Sequence, residues 1–132
     1  MNTYSNIPLN QLPVYKKAIE IFSLSRRIAS YLTYDKDLLQ MEFSKERVDH
    51  EAGDLVMQSL GLAPSIAAVQ TQQSYLLKMQ HAQSLRKLTI GIGKLCERLE
   101  ASSAEGKEFL QLLRKELKKF RKLQRDWMAT LR

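Results

Sequence analysis

The stretch KEFLQLLRKELKKFRKLQRDWMATLR, residues 107–132, is the one whose reading decides the fold class. Leu110, Leu113, Leu117, Phe120, Gln124, Trp127 and Leu131 recur at steps of three and four, the return interval of one face of an α-helix. A strand would alternate every second residue, and no such alternation runs through the segment. Arg114, Lys118, Arg121 and Arg125 stand at i, i+4, i+7 and i+11 and share a second face, with Lys115, Lys119 and Lys122 as a ridge beside it. A helix divided in this way buries one side and holds its cations in register on the other.

The same spacing extends upstream. Leu77, His81, Leu85, Leu88, Ile92, Leu95 and Leu99 predict a core-facing stripe on a helix from about Gln73 to Ala101, and Ser102 or Ser103 is the expected cap of the helix after it. Before that, a helix capped at Ser44 is expected through Val48, Leu55, Val56 and Leu60 to about Val69. Gly61 and Pro64 interrupt it, and because an interior proline removes a backbone hydrogen bond, a kink or break is expected between Gly61 and Ser65. The first helix starts around Gln11–Pro13, where proline suits an opening turn, and ends near Tyr34–Leu39. Val14, Ala18, Ile21, Ile28 and Leu32 form its apolar face.

These elements predict an all-α chain: an antiparallel up-down four-helix bundle, with its second helix kinked or broken near Pro64. Residues 1–10 are expected to form a flexible tail and residues 11–132 a single domain. Ile19, Leu24 and Tyr31 on the first helix, with Phe109, Leu112 and Leu123 on the last, widen the stripes beyond what one bundle interior needs. They predict a second apolar face between subunits; scattered surface hydrophobes are the alternative.

Composition agrees with a globular domain: 44% of the 132 residues are hydrophobic and 27% charged. No uninterrupted apolar run approaches the roughly 18 residues of a membrane span, and the opening MNTYSNIPLNQLP lacks a signal-peptide pattern. The single cysteine, Cys96, has no internal partner, which suits a reducing cytoplasm. The net charge of +7 is unevenly spread. Residues 33–60 hold three basic and seven acidic side chains, whereas residues 78–132 hold fourteen basic and six acidic. Such asymmetry points to a polyanionic or acidic partner for the C-terminal half.

Cations in register on a rigid helix can neutralise successive phosphates and release counterions. Arg114, Lys115, Lys118, Lys119, Arg121, Lys122 and Arg125 are therefore the candidate nucleic-acid contacts, and Lys78, Arg86 and Lys87, with Lys94, extend the field. The competing readings are a solvated face or an acidic protein partner. A basic helix can also lie on an anionic membrane, but here its apolar stripe is required by the bundle. Thr89-Ile90-Gly91-Ile92-Gly93-Lys94 lacks the spacing of a phosphate loop, and its glycines suit close helix approach. Glu46, His50 and Asp54 at i, i+4 and i+8 suggest a carboxylate–imidazole–carboxylate face, yet the paired Glu-x-x-His of a di-iron bundle is missing, so no metal is expected. His81 reads as an interior or interface residue, and Cys96 has no histidine near it in sequence. No catalytic residue, cofactor or enzymatic activity is expected.

The residues also carry a resemblance. LPVYKKAIEIFSLSRRI, residues 12–28, resembles the start of the small four-helix-bundle proteins encoded in ribosomal-RNA intervening sequences. Gly53-Asp54-Leu55, the run from Leu76-Leu77-Lys78 through Ser84-Leu85-Arg86, and the late Trp127 resemble their relatives, the accessory variability proteins of diversity-generating retroelements. The intervening-sequence signature Asn-Ile-Ala-Glu-Gly is absent, with Pro64-Ser65-Ile66-Ala67 as a faint echo, and Arg125 and Asp126 stand where the retroelement branch has paired glycines. The resemblance implies a homopentamer of four-helix bundles with a basic surface, associated with a reverse transcriptase and with RNA or DNA, and without catalysis of its own.

Together these readings predict a non-enzymatic, cytoplasmic, oligomeric accessory protein that binds nucleic acid. The alternative is a helical interaction adaptor whose basic C-terminal helix meets an acidic protein.

Overall fold

The computed structural model describes residues 7–103 and 105–131, and all regular structure among them is helical. A 3-10 turn at Leu9–Gln11 precedes six α-helices: α1 (Pro13–Thr33), α2 (Leu38–Phe43), α3 (Arg47–Leu60), α4 (Leu62–Thr71), α5 (Tyr75–Ser102) and α6 (Lys107–Met128). α3 and α4 run nearly end to end. α1 and α5 each pack against α3, α4 and α6, and the arrangement is bundle-like.

All seven positions of the C-terminal stripe are buried, from Leu110 to Leu131. Phe120 and Trp127 are among the largest fully enclosed side chains, each worth about 1.5–3 kcal/mol of burial. Trp127 keeps its polar end satisfied, because Nε1 donates to Gln70 Oε1 on α4 at 3.0 Å. Val14, Ala18, Ile21, Ile28 and Leu32 of α1 face the same core, as do Leu85, Ile92, Leu95 and Leu99 of α5. Of the expected tail, residues 1–6 lie outside the described residues, while Ile7 and Leu9 pack against the core.

Several local expectations need correction. Leu77 is exposed and His81 only half-buried, so the buried stripe of α5 starts later, with Ala82 and Leu85. The helix after Ser44 starts at Arg47, and Ser44 does not cap it: its hydroxyl donates to Asp49 Oδ2 at 2.6 Å and accepts from the Glu46 amide at 3.1 Å. Helix α2 was not foreseen. It is held by a capping box in which Asp37 Oδ1 accepts from the Gln40 amide and Gln40 Oε1 accepts from the Asp37 amide. The break in the second predicted helix falls at Gly61, which leaves Pro64 in the first turn of α4, where its missing N–H costs no hydrogen bond.

Neither Ser102 nor Ser103 caps the last helix. Ser103 instead closes α5, and α6 begins from Gly106 in the left-handed conformation at φ +79°. A Cβ there would stand 2.8 Å from Leu32 Cδ2, so both backbone and packing require glycine. Gly91 has a neighbour where a Cβ would stand, 2.5 Å away, but it is Gln58 Oε1, the tip of a flexible side chain and not the backbone of a closely approaching helix. Gly93 has none, for a Cβ there meets nothing within 4 Å.

The combined stretch Arg47–Thr71 is long and apolar enough in composition to cross a membrane, with mean hydropathy 1.2 in its most apolar window. In this fold its apolar side chains Leu55, Leu62, Ile66 and Val69 are spent on the core.

One substitution should act with opposite sign at two glycines. Gly106→Ala is expected to destabilise the fold by about 1–2 kcal/mol, because alanine must adopt a left-handed backbone against Leu32. Gly93→Ala should stabilise it by about 0.5–1 kcal/mol, since the site is helical and open. Urea unfolding of the two variants checks both signs.

Candidate nucleic-acid interface

Burying the α6 stripe rotates Arg114, Lys118, Arg121 and Arg125 toward α5, and the rise of the helix spreads them over roughly 16 Å. Two adjoining hollows open between α5 and α6, of about 570 and 770 Å3, and both are lined by Lys118 and Arg121. The first also holds Lys94, Arg114 and Lys115, with Thr89, Ile90 and Gly93 from α5. The second adds Arg86 and Arg125, with Met79 and Met128. Seven cations thus border one trough, and Glu97 is the only carboxylate among its lining residues. No aromatic ring lines it, so what it offers a ligand is charge and apolar floor rather than a stacking platform.

The candidate residues divide. Arg86, Arg114, Lys115, Lys118, Arg121 and Arg125 meet in the trough, whereas Lys78, Lys87, Lys119 and Lys122 do not line it. Lys119 stands beside Glu116 one turn back on its own helix, with Nζ 3.4 Å from Oε1. Lys87 and Lys122 are exposed elsewhere, and Lys78 is half-buried. Lys94 belongs to the trough more firmly than its sequence position suggested. The signal was present in the spacing of Arg86, Ile90, Gly93, Lys94 and Glu97, which return to one face of α5.

Arg114 is the one trough cation with a carboxylate neighbour, its Nε standing 3.1 Å from Glu100 Oε2 without hydrogen-bond alignment. The other six form no ion pair among the described residues. Below them, Thr89 Oγ1 donates to Leu85 O at 2.9 Å and approaches Gln124 Oε1 at 3.5 Å, which joins the two trough helices through a buried polar contact.

Glu116 is kept out of the trough. Lys17 on α1 donates to its Oε2 at 2.9 Å, and this hydrogen bond holds the Glu116 carboxyl below its usual range. Hydrogen bonds to Glu20, and then to this same Glu116 carboxylate, raise the Lys17 pKa.

No family model, curated protein or solved structure matches this chain.

Cys96 is buried, and loss of solvent, reinforced by Glu100, pushes its thiol up to about 12, so it remains protonated and poorly nucleophilic. Glu46 precedes α3 rather than lying on it, which removes it from the expected face with His50 and Asp54. The His50 ring Nε2 is taken up by Ser44 O, and no group of three or more metal-ligating side chains occurs among the described residues. Asp49 is buried, which alone would raise its carboxyl, but hydrogen bonds from Lys36 and Ser44 outweigh burial and hold it low.

Glu116 and Asp49 both titrate lower in the fold than in the unfolded chain. Their stabilisation is complete above the unfolded values and disappears as pH falls through the lowered folded ones. Acid unfolding followed by circular dichroism should show stability falling between about pH 5 and pH 2. Lys17→Met should flatten that fall by removing the partner of Glu116.

Proposed function

We propose that this protein is a non-enzymatic accessory protein that binds nucleic acid through the α5–α6 trough. One observation carries the reading: seven cations from two helices line one trough beside a single carboxylate. Like charges at i, i+4 on one helix cost about 0.2–0.5 kcal/mol per pair, and a phosphate chain laid along them relieves that repulsion. Arg114, Lys118, Arg121 and Arg125 supply the contacts from α6, and Arg86 and Lys94 supply them from α5.

The wider reading follows from the same surfaces. The helices form an antiparallel up-down four-helix bundle in which α3 and α4 together make the broken second helix; the packing of α1 and α5 against the other long helices supports this. The protein acts in the cytoplasm as an oligomer, on the resemblance a homopentamer. An exposed apolar face supports self-association: Ile19, Tyr31, Phe109 and Leu112 are all exposed, and Tyr31 meets Phe109 edge to face at 5.3 Å. The resemblance further suggests a reverse transcriptase as protein partner in targeted mutagenesis, with RNA or DNA in the trough.

A second reading has one observation in its favour. Met79 and Met128 line the trough beside Arg86 and Arg125, and methionine floors adapt to protein side chains. On that reading the chain is an adaptor for an acidic protein.

Fluorescence anisotropy with labelled RNA and DNA, titrated over salt, separates the two. Phosphate binding by about four to six cations predicts a steep inverse salt dependence, and Lys118→Glu with Arg121→Glu should lower low-salt affinity at least tenfold and flatten the slope by about two. Nucleic-acid binding unchanged by that pair would falsify the trough assignment. Light scattering tests the oligomer, and a monomer at micromolar concentration counts against it.

A further inference from the structure

α2 and α3 bound a second hollow, of about 540 Å3, on an element that packs against α1 and α5 as α6 does. Buried Met41 forms its floor, while Leu39 and Met57 on its walls are 63% and 54% exposed. Glu42 and Asp54 line it as well; both are exposed, and neither forms an ion pair among the described residues. No lysine or arginine lines it. Of the three cations in residues 33–60, Lys36 is engaged by Asp49 and Arg47 by Glu51 at 2.8 Å, while Lys45 is exposed and does not line the hollow.

We infer that this hollow is a docking groove for a basic amphipathic helix of a partner protein. Leucine-like side chains of such a helix would seat on Met41, Met57 and Leu39, and lysines or arginines flanking them would meet Glu42 and Asp54. Methionine at floor and wall suits a groove that adjusts to its occupant. Charge selects the occupant. Residues 33–60 carry four more acidic than basic side chains on a chain whose net charge is +7, so the groove is a negative surface on a positive molecule. It repels phosphate and attracts cationic peptide. None of the α5–α6 trough residues takes part, so failure of nucleic-acid binding would leave this groove unaffected.

The test titrates the full chain into a fluorescein-labelled designed helix of about 18 leucine and lysine residues with one apolar face, read by anisotropy. Saturable binding is expected, weakened about tenfold or more by Glu42→Lys with Asp54→Lys. Met57→Ser, which changes no charge, should also weaken it. Lys118→Glu with Arg121→Glu should not, and on that variant, whose basic trough no longer attracts acidic peptide, a matched leucine–glutamate helix should bind far less. The inference is overturned by absent or non-saturable binding, or by equal binding to wild type and both groove variants. It is overturned equally if sedimentation shows that Glu42→Lys with Asp54→Lys dissociates a self-assembly while the peptide does not bind, since the occupant is then a second copy of this chain.

Discussion

Leu110, Leu113, Leu117, Phe120, Gln124 and Trp127 leave water together because they occupy one face of one rigid helix. That shared burial sets the rotation of α6 about its own axis, and with it the direction of every other side chain on the helix. A turn of one residue would move each by about 100° and carry cations into the core. Bringing a lysine or arginine there unpaired costs several kcal/mol, so the rotation is strongly defined. The trough is thus a by-product of core formation: once the stripe is inside, Arg114, Lys118, Arg121 and Arg125 face α5.

Helix α5 completes the site by what it lacks as much as by what it supplies. Thr89 and Gly93 are small, so the floor between the helices stays low, and Arg86 and Lys94 rise on its far bank. The negative charge that would cancel these cations is drawn away. Lys17 on α1 takes Glu116, and Glu100 serves Arg114 alone. The resulting concentration of unpaired charge is unfavourable in isolation and becomes favourable with a polyanion bound.

The two ends of the charge distribution also behave differently. In the basic trough most cations are unpaired among the described residues, whereas in the acidic region the two buried carboxylates are paired, Asp49 with Lys36 and Glu51 with Arg47. Of the carboxylates left there, Glu42 and Asp54 stand beside methionine and leucine on a mixed apolar and anionic surface. The ligands proposed for them, a phosphate chain and an amphipathic helix, differ in the same way as the two surfaces.

Helical class, the core faces of α1 and α6 and the shared face of the α6 cations were legible in the sequence, because helix periodicity is local and burial is one-sided. Harder to read were the ends of helices. The capping box at Asp37 and Gln40, the left-handed Gly106 beneath Leu32 and the exposure of Leu77 depend on the path of the chain between elements, or on a neighbour distant in sequence. The site divides along the same line. By itself the sequence determined that Arg114, Lys118, Arg121 and Arg125 share a face, since 3.6 residues per turn dictates it. Only the tertiary structure decided that Arg86 and Lys94 stand opposite them, that Lys17 of α1 takes Glu116, and that Gly93 lies open. Those outcomes depend on which helices become neighbours, and that choice is made by the packing of the whole core rather than by any one segment.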